Sequence, residues 1–356
     1  PRAEIRFWCD RKFGATATHV MNDFDPSIKV QVVTSGKLRR YHHLSFWQQM
    51  MKFRTIVLPN LIDTVKVIVG FFESFARLIF WRPDVVFTKG GFVCLPIGIA
   101  ARLLRIPLVI HDSDAHPGLT NRILARWATA IATGAPLKFY SYPITKTTYV
   151  GVPVRADFTP FSAEQQAAAK RAFGFAENRP LIVVTGGGLG AQRLNMAVAT
   201  TLQTLIEHTN VCLISGDAQY DEMRALTPAD DARYQLHAFI SKGMAELLGA
   251  ADIVVARAGA TTIVELATLA KPTILVPNGF LTGGHQIKNA AVYAEDGAVS
   301  IIDELALEKN PELLVDEVLN LLADPQRLRN MGAAFHTYAK PQAAADMAEM
   351  IIGAAK

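Results

Sequence analysis

Asp252-Ile-Val-Val-Ala-Arg-Ala-Gly-Ala-Thr-Thr-Ile-Val-Glu265, followed by Lys271-Pro-Thr-Ile-Leu-Val-Pro277 and Gly283-Gly-His-Gln-Ile-Lys-Asn289, reads as strand, glycine turn, helix, strand, glycine loop, helix. The apolar run Ile253 to Val255 predicts a buried strand, and Gly259 predicts a sharp turn. Ala260-Thr261-Thr262 then opens a helix whose free amides and positive dipole end face that turn, a site suited to an anion. One turn further in, Glu265 places a carboxylate where diol hydroxyls would donate to it, while His285-Gln286 supplies polar groups at the start of the next helix. Together these suit a nucleotide-sugar. Taken alone, Thr261 and Glu265 fit a helix cap equally well.

The rest of the chain bounds what this stretch belongs to. With 356 residues, half of them apolar, there is material for two domains. Cys9, Cys94 and Cys212 are scattered without metal or disulfide spacing, which fits a reducing compartment. No uncharged apolar run reaches the roughly 18 residues of a spanning helix, and the first residues show no signal-peptide pattern. Charge is lopsided: residues 1 to 160 hold 21 Lys and Arg against 10 Asp and Glu, a net +11, and the remainder holds 15 against 22, a net −7. The first half calls for an anionic partner. Lys37 to Arg54 mixes bases with aromatic and Met side chains, and the helix expected over Leu61 to Trp81 has an apolar stripe wider than one buried face requires. An anionic membrane surface and a helix packed on a sheet explain this equally. RNA fits less well, because no recognisable RNA module is present.

Taken in order, Ala3 to Cys9 and Val30 to Thr34 read as strands around a helix at Ala15 to Met21. Asp84 to Thr88 and Pro107 to Ile110 are strands, each leading through a polar or glycine loop to a helix, Leu95 to Leu104 and Leu119 to Ala128. Residues 148 to 157 read as the last strand of the first domain. Pro180 to Thr185, Val211 to Ser215, a strand ending at His237 to Ile240, and Ala298 to Ile302 continue the pattern; the remaining helices are expected over Asp303 to Leu322 and Met331 to Ala355. Strand, loop, helix throughout predicts α/β domains with doubly wound parallel sheets, chemistry lying at the strands' carboxyl ends. The loop His111-Asp112-Ser113-Asp114-Ala115-His116 invites a metal, but its spacing matches no standard zinc set, and no metal or other cofactor is expected. Gly186-x-Gly188-x-x-Ala191 fits a dinucleotide fingerprint, with Asp217 after the next strand, so an NAD-dependent dehydrogenase is a rival reading. That fingerprint belongs in an N-terminal cofactor unit, whereas here it opens the second domain, and its glycines equally fit a loop passing close to a diphosphate.

Seven pieces in order carry a resemblance: Gly90-Gly-Phe, Ile106-Pro-x-Val-Ile-His111, Gly118-Leu-Thr-Asn121, Gly151-x-Pro-Val-Arg155, Gly186-Gly-x-x-Gly-Ala191, Arg257-x-Gly-Ala-x-Thr-x-x-Glu265 and His285-Gln286-x-x-Asn289. Nearly end to end, the chain resembles the MurG family of glycosyltransferases. The resemblance implies a GT-B fold, two Rossmann-like domains facing across a cleft. The expected parts are residues 1–155 for acceptor and membrane, 156–338 for the UDP-sugar, and a helix at 339–356 packing back towards the first domain. It implies transfer of N-acetylglucosamine from its UDP carrier to the 4-hydroxyl of an undecaprenyl-linked MurNAc-pentapeptide, by a peripheral enzyme on the cytoplasmic face of the membrane that binds no nucleic acid. Carried over by residue, Ile240 meets the uracil through its backbone. Gly187, Gly188 and Gly190, with the amides of Ala260, Thr261 and Thr262, meet the diphosphate. Glu265 holds the ribose, Gln286 the donor sugar, and Arg155 approaches the nucleotide; Phe92, His111 and Asp112 meet the acceptor.

The chain departs from the family pattern at three positions: Gly188 replaces a serine, Asp114 an asparagine near the donor acetamide, and His285 the first of two glutamines. The family's opening strand, glycine loop and proposed base histidine have no counterpart before Ala3 to Cys9. About 30 further residues upstream of Pro1 are therefore expected, about one strand-loop-helix unit, and Asp114 and His116 are fallback candidates for the base. Another GT-B enzyme using a UDP-sugar, such as a lipid glucosyltransferase or an epimerase, and a non-catalytic nucleotide-sugar-binding subunit are the remaining alternatives.

Overall fold

The structure is a computed structural model describing residues 3–37, 50–187, 190–228, 231–279 and 284–355. Two compact units emerge. The first holds the chain through Ser113, Pro117–Tyr149 and Ala345 onward; the second holds Asp114–His116 and Val150–Ala344.

In the first unit, β1 (Arg6–Cys9), α1 (Gly14–Phe24) and β2 (Lys29–Val32) lead to α2 (Leu58–Phe80), which a short π-helical stretch, Phe53–Val57, precedes. Then come β3 (Val86–Thr88), α3 (Cys94–Leu103), β4 (Leu108–Asp112), α4 (Leu119–Leu124), β5 (Ala130–Thr133) and β6 (Thr147–Tyr149). Every strand pairing is parallel, in a two-stranded sheet β1-β2 and a four-stranded sheet β3-β4-β5-β6. Strand β5, Ala-Ile-Ala-Thr, had no sequence signal, because two of its four residues are alanines with little strand preference. The strand expected over 148 to 157 stops at Tyr149: Gly151 adopts φ +89° and Pro153 has no N–H to give a ladder.

The second unit continues with α5 (Ala163–Ala172), β7 (Leu181–Thr185), α6 (Gln192–His208), β8 (Asn210–Ile214), α7 (Tyr220–Leu226), β9 (Tyr234–His237) and α8 (Met244–Ala250). It ends with β10 (Ile253–Ala256), α9 (Ala260–Thr268), β11 (Thr273–Leu275), α10 (His285–Ala294), β12 (Ser300–Ile301), α11 (Glu304–Lys309), α12 (Glu312–Leu322) and α13 (Pro325–His336), and α14 (Ala343–Ala354) closes the chain. Its sheet is parallel, in the order β12-β11-β10-β7-β8-β9. Strands β7, β8 and β10 are buried along their whole length, which is why they read as continuous apolar runs rather than alternating ones. Leu194, Val198, Leu202, Leu205 and Ile206 of α6 pack into the same core as Ile182, Val255 and Ile274. The helix expected over Asp303 to Leu322 breaks at Asn310-Pro311, since Pro311 removes the N–H a continuing helix needs; likewise Met331 to Ala355 is divided between α13 and α14, with Pro341 in the gap.

Helix α2 corrects one expectation. Phe53–Phe80 forms 28 continuous helical residues, long and apolar enough to cross a membrane by length and composition, although charged residues interrupt every apolar run in its sequence. One face of α2, at Asp63, Gly70, Ser74 and Leu78, is buried. Glu73 accepts from the Thr34 N–H at 2.9 Å and the Thr34 hydroxyl at 2.8 Å, and Arg77 donates to the Val32 carbonyl at 2.7 Å. About half a turn away, on a 3.6-residue period, lie the exposed Leu61, Val65, Ile68, Phe72 and Ile79.

Gly70 permits the close approach, for a Cβ there would stand 1.8 Å from the Thr34 carbonyl oxygen. Gly353 in α14 faces open space. Alanine is the better helix former by about 1 kcal/mol, so Gly353→Ala should raise the melting temperature while Gly70→Ala lowers it. Thermal unfolding of both variants checks this; a rise with Gly70→Ala would contradict the packing.

Candidate functional site

The sheet of the second unit changes direction between β7 and β10. Strands β8 and β9 lie to one side of that pair and β11 and β12 to the other, and β7 pairs with β10 from Ile182↔Ile253 to Thr185↔Ala256. Ligands of doubly wound sheets bind at such a switch, outside the carboxyl ends of the strands. The two loops leaving it are those singled out by sequence: Gly186–Ala191 before α6, and Arg257–Gly259 before α9.

Both following helices present bare amide ends. No side chain caps α6 or α9; α7, α8, α10 and α12 of this unit also lack side-chain caps, and Ser162, Asp303 and Asp324 cap α5, α11 and α13. The first-turn N–H groups of α6 and α9 therefore remain available to an anion. Gly187 at φ +71° and Gly190 at φ +70° take left-handed conformations that suit glycine. A Cβ on Gly190 would press on the Ser215 carbonyl at 2.8 Å. Gly188 lies outside the described residues. Gly259 differs from expectation: its φ of −74° and ψ of 137° suit any residue, and its nearest non-neighbouring atom is the Thr262 hydroxyl at 3.9 Å from an added Cβ. Lack of a side chain there leaves the end of α9 uncovered, and that, rather than turn strain, is its contribution.

Glu265 stands half-buried in α9, and Thr261 and Thr262 flank the same end. Burial pushes the Glu265 carboxyl up to about 7; Arg155 opposes that shift and Asp157 adds to it. Arg155 is exposed and paired with Asp157, its Nε donating at 3.0 Å. Gln286, at the start of α10, accepts from the Asn278 N–H at 2.8 Å. Ile240 follows β9 in a half-buried loop. The fallback pair Asp114 and His116 belongs to this unit as well. Asn289, 2% exposed, accepts from the Ala115 N–H at 2.8 Å and donates to Asp114 at 2.9 Å and to the Ala258 carbonyl at 3.1 Å. Asp114 lies 3.8 Å from His285 Nδ1, and the His116 and His285 rings are 6.1 Å apart. One buried amide thus ties the Asp114–His116 loop to the turn that opens α9.

In the first unit, Phe92 is half-buried, and His111 and Asp112 are buried at the end of β4. The Asp112 carboxylate accepts from Asn121 at 2.6 Å and from the Tyr142 hydroxyl, and Asn121 also donates to the His111 carbonyl at 3.0 Å. Desolvation, reinforced by Asp112, pushes the Tyr142 hydroxyl up. Asn121 also abuts Gly90: a Cβ there would meet its amide nitrogen at 2.8 Å. Asp112 is thereby committed to holding Asn121 beneath the Gly90-Gly91-Phe92 loop. Among the described residues, no three His, Cys, Asp or Glu side chains are grouped as metal ligands.

Asn121, Tyr142 and the Arg193, Arg257 and Glu304 group were not foreseen as site residues. Asn121, Arg257 and Asn289 lay inside quoted motifs without a role, but nothing local marks Tyr142 or Glu304, whose partners are 30 and 47 positions away.

Residues 26–133 match the Glycosyltransferase family 28 N-terminal domain, and residues 181–349 match its C-terminal domain. A UDP-N-acetylglucosamine--N-acetylmuramyl-(pentapeptide) pyrophosphoryl-undecaprenol N-acetylglucosamine transferase of Staphylococcus aureus, strain bovine RF122 / ET3-1, is 32% identical over 317 residues, 88% of this chain and 82% of its own. The chain belongs to the MurG family of glycosyltransferases. The crystal structure of Acinetobacter baumannii MurG is similar with a TM-score of 0.73 at 23% identity, covering 99% of this chain and 100% of that one. A UDP-GlcNAc 2-epimerase from Neisseria meningitidis bound to UDP-GlcNAc has a TM-score of 0.60 at 11% identity, covering 98% and 99%. These likenesses establish the GT-B fold.

The raised Glu265 carboxyl has a consequence for stability in the ligand-free MurG-family chain. Its folded value of about 7 exceeds the ordinary 4.5 of a glutamate, so this group costs the fold nothing below the lower value, and stability is lost as pH rises through the upper one. Glu265→Gln cannot ionise. Its melting temperature should exceed the wild type's at pH 8 and approach it at pH 5; a gap independent of pH would contradict the burial argument.

Proposed function

We propose that this MurG-family chain transfers N-acetylglucosamine from UDP-N-acetylglucosamine to the 4-hydroxyl of a lipid-linked MurNAc-pentapeptide, with inversion. The observation that carries the reading is the pair of uncapped helix ends, α6 and α9, flanking the β7–β10 switch point with Glu265 one turn inside. The amides of Ala260, Thr261 and Thr262 and the Gly187 to Gly190 loop receive the diphosphate. Glu265 accepts from the ribose hydroxyls, Gln286 from the donor sugar, and Ile240 meets the base through its backbone. As the acceptor oxygen attacks the anomeric carbon, UDP departs and its growing charge falls on fixed amide dipoles, which need no reorganisation at that moment. Asp114, which accepts from Asn289, and His116 in the same loop are the fallback candidates within these residues for the base that takes the acceptor's proton.

The acceptor is lipid-linked in the S. aureus relative's own name. For this chain we infer docking of the first unit on an anionic membrane surface through the exposed stripe Leu61, Val65, Ile68, Phe72 and Ile79. Support comes from the net +11 of residues 1 to 160 and from the opposite face of α2 being tied down by Glu73 and Arg77. A helix so tied through its charged residues would have to give up those bonds in order to span a bilayer. Residues Leu38 to Gln49 of the basic-aromatic segment fall outside the described residues. Location at the cytoplasmic face is part of the same proposal.

Incubating the chain with labelled UDP-N-acetylglucosamine and the lipid-linked acceptor tests the reaction, a disaccharide-lipid product being expected. Thermal shift should respond to UDP and UDP-N-acetylglucosamine but not to NAD. Glu265→Ala should weaken UDP binding by about 1 to 3 kcal/mol, the range for loss of a hydrogen bond to a charged group; unchanged affinity removes Glu265 from the site. Flotation with vesicles should show binding to anionic but little to neutral lipid, reduced by salt and by Phe72→Asp. Equal binding to both lipids would contradict the charge argument.

A further inference from the structure

Behind the two glycine loops of the second unit lies one buried carboxylate shared by two arginines. Arg257, 7% exposed, directly precedes Ala258-Gly259 and the amide end of α9. Its guanidinium donates to the Val276 carbonyl at 2.9 Å and to Glu304 Oε1. Arg193 sits in the first turn of α6, immediately after the other loop. One of its terminal nitrogens is 3.7 Å from the same Glu304 oxygen, and its Nε donates to Glu308 at 2.8 Å. Glu304 is 2% exposed and is the first residue of α11, a helix fixed by the Asp303 cap and by the buried Leu307. A buried guanidinium such as Arg257 needs a counter-charge, and removing one member of such a pair leaves the other uncompensated and destabilises the fold. Glu304 is thus the point at which the approaches to both amide ends are pinned.

The geometry of that pin is economical in one respect and costly in another. Oε1 alone meets both guanidinium groups, while buried Oε2 has no hydrogen-bond partner among the described residues. A carboxylate satisfied at both oxygens would stabilise the fold more. What the observed placement does instead is join the two loops beyond the end of the β7–β10 ladder, where the Arg257 N–H donates to the Thr185 carbonyl at 3.3 Å. An anion bridging two helix ends depends on their separation, because amide donors lose their effect steeply as distance and angle depart from the ideal.

We propose that Glu304 is a positioning residue for the diphosphate, acting through Arg193 and Arg257 to hold the amide ends of α6 and α9 at one fixed separation. The inference rests on the reading of those ends as the diphosphate site. Glu304 touches neither donor nor acceptor, so its effect is confined to ligands that need both ends at once. UDP needs both. Uridine, which has the base and ribose but no phosphate, does not.

The test is calorimetric titration of the full chain with UDP, with uridine measured by competition, for wild type, Glu304→Gln and Arg193→Met. Both variants should bind UDP about tenfold or more weakly, with uridine affinity within about twofold of wild type. Arg193→Met severs the link at its outer, one-third-exposed arginine and carries the test if Glu304→Gln does not fold. Equal losses for UDP and uridine would show a general structural defect and overturn the proposal, as would unchanged UDP affinity in a folded variant. Wild type that fails to bind UDP would overturn the underlying site reading itself, a result distinguishable from these because it appears before any substitution.

Discussion

A diphosphate needs donors that are fixed, unshared and close together, and this requirement explains more of the second unit than any other single constraint. In the proposed site the donors are first-turn amides of two helices, so the helices must begin at neighbouring strand ends and remain uncapped. Strand order β12-β11-β10-β7-β8-β9 meets the first condition by putting the chain's reversal between β7 and β10. The missing caps on α6 and α9 meet the second, a feature they share with α7, α8, α10 and α12, and what sets these two ends apart is their place at the switch point. Unsatisfied amides and a half-buried Glu265 cost stability, and a continuous apolar core from Ile182 to Met331 offsets them.

The first unit meets a different demand. Helix α2 presents opposite faces to opposite surroundings: Asp63, Gly70, Ser74 and Leu78 are buried, while Leu61, Val65, Phe72 and Ile79 face outward. Glu73 and Arg77 fasten the helix to backbone at Thr34 and Val32, so an outward apolar stripe persists without the helix detaching. At the end of β4, Asp112 is drawn inward by Asn121 and Tyr142 and supports the Gly90 turn. Support of this kind keeps a loop in place more firmly than loop sequence alone would.

Much of this was readable from residues, and the exceptions share a cause. Ile253 to Val255 and Leu181 to Thr185 were legible as strands because full burial leaves an unbroken apolar run. The amide end at Ala260 was legible because helix polarity follows from chain direction. Local pattern failed where the deciding partner was distant or the signal short. Ala130–Thr133 is a strand through pairing with β4 rather than through composition. His111 and Asp112 are acceptor contacts by resemblance, and their hydrogen bonds to Asn121 and Tyr142 were not legible because only folding brings those neighbours near. Gly259 was credited with turn strain when it supplies open space. The charges scattered along Phe53–Phe80 hid the spanning length of a helix that was read only from Leu61 onward.

A structure of the chain with UDP bound is the most direct test of the account. The diphosphate oxygens should lie about 2.7 to 3.2 Å from amides in the first turns of both α6 and α9, with ribose hydroxyls on Glu265 and the uracil against the backbone of Ile240. A diphosphate held by side chains away from the β7–β10 switch point, with either helix end left empty, would contradict it.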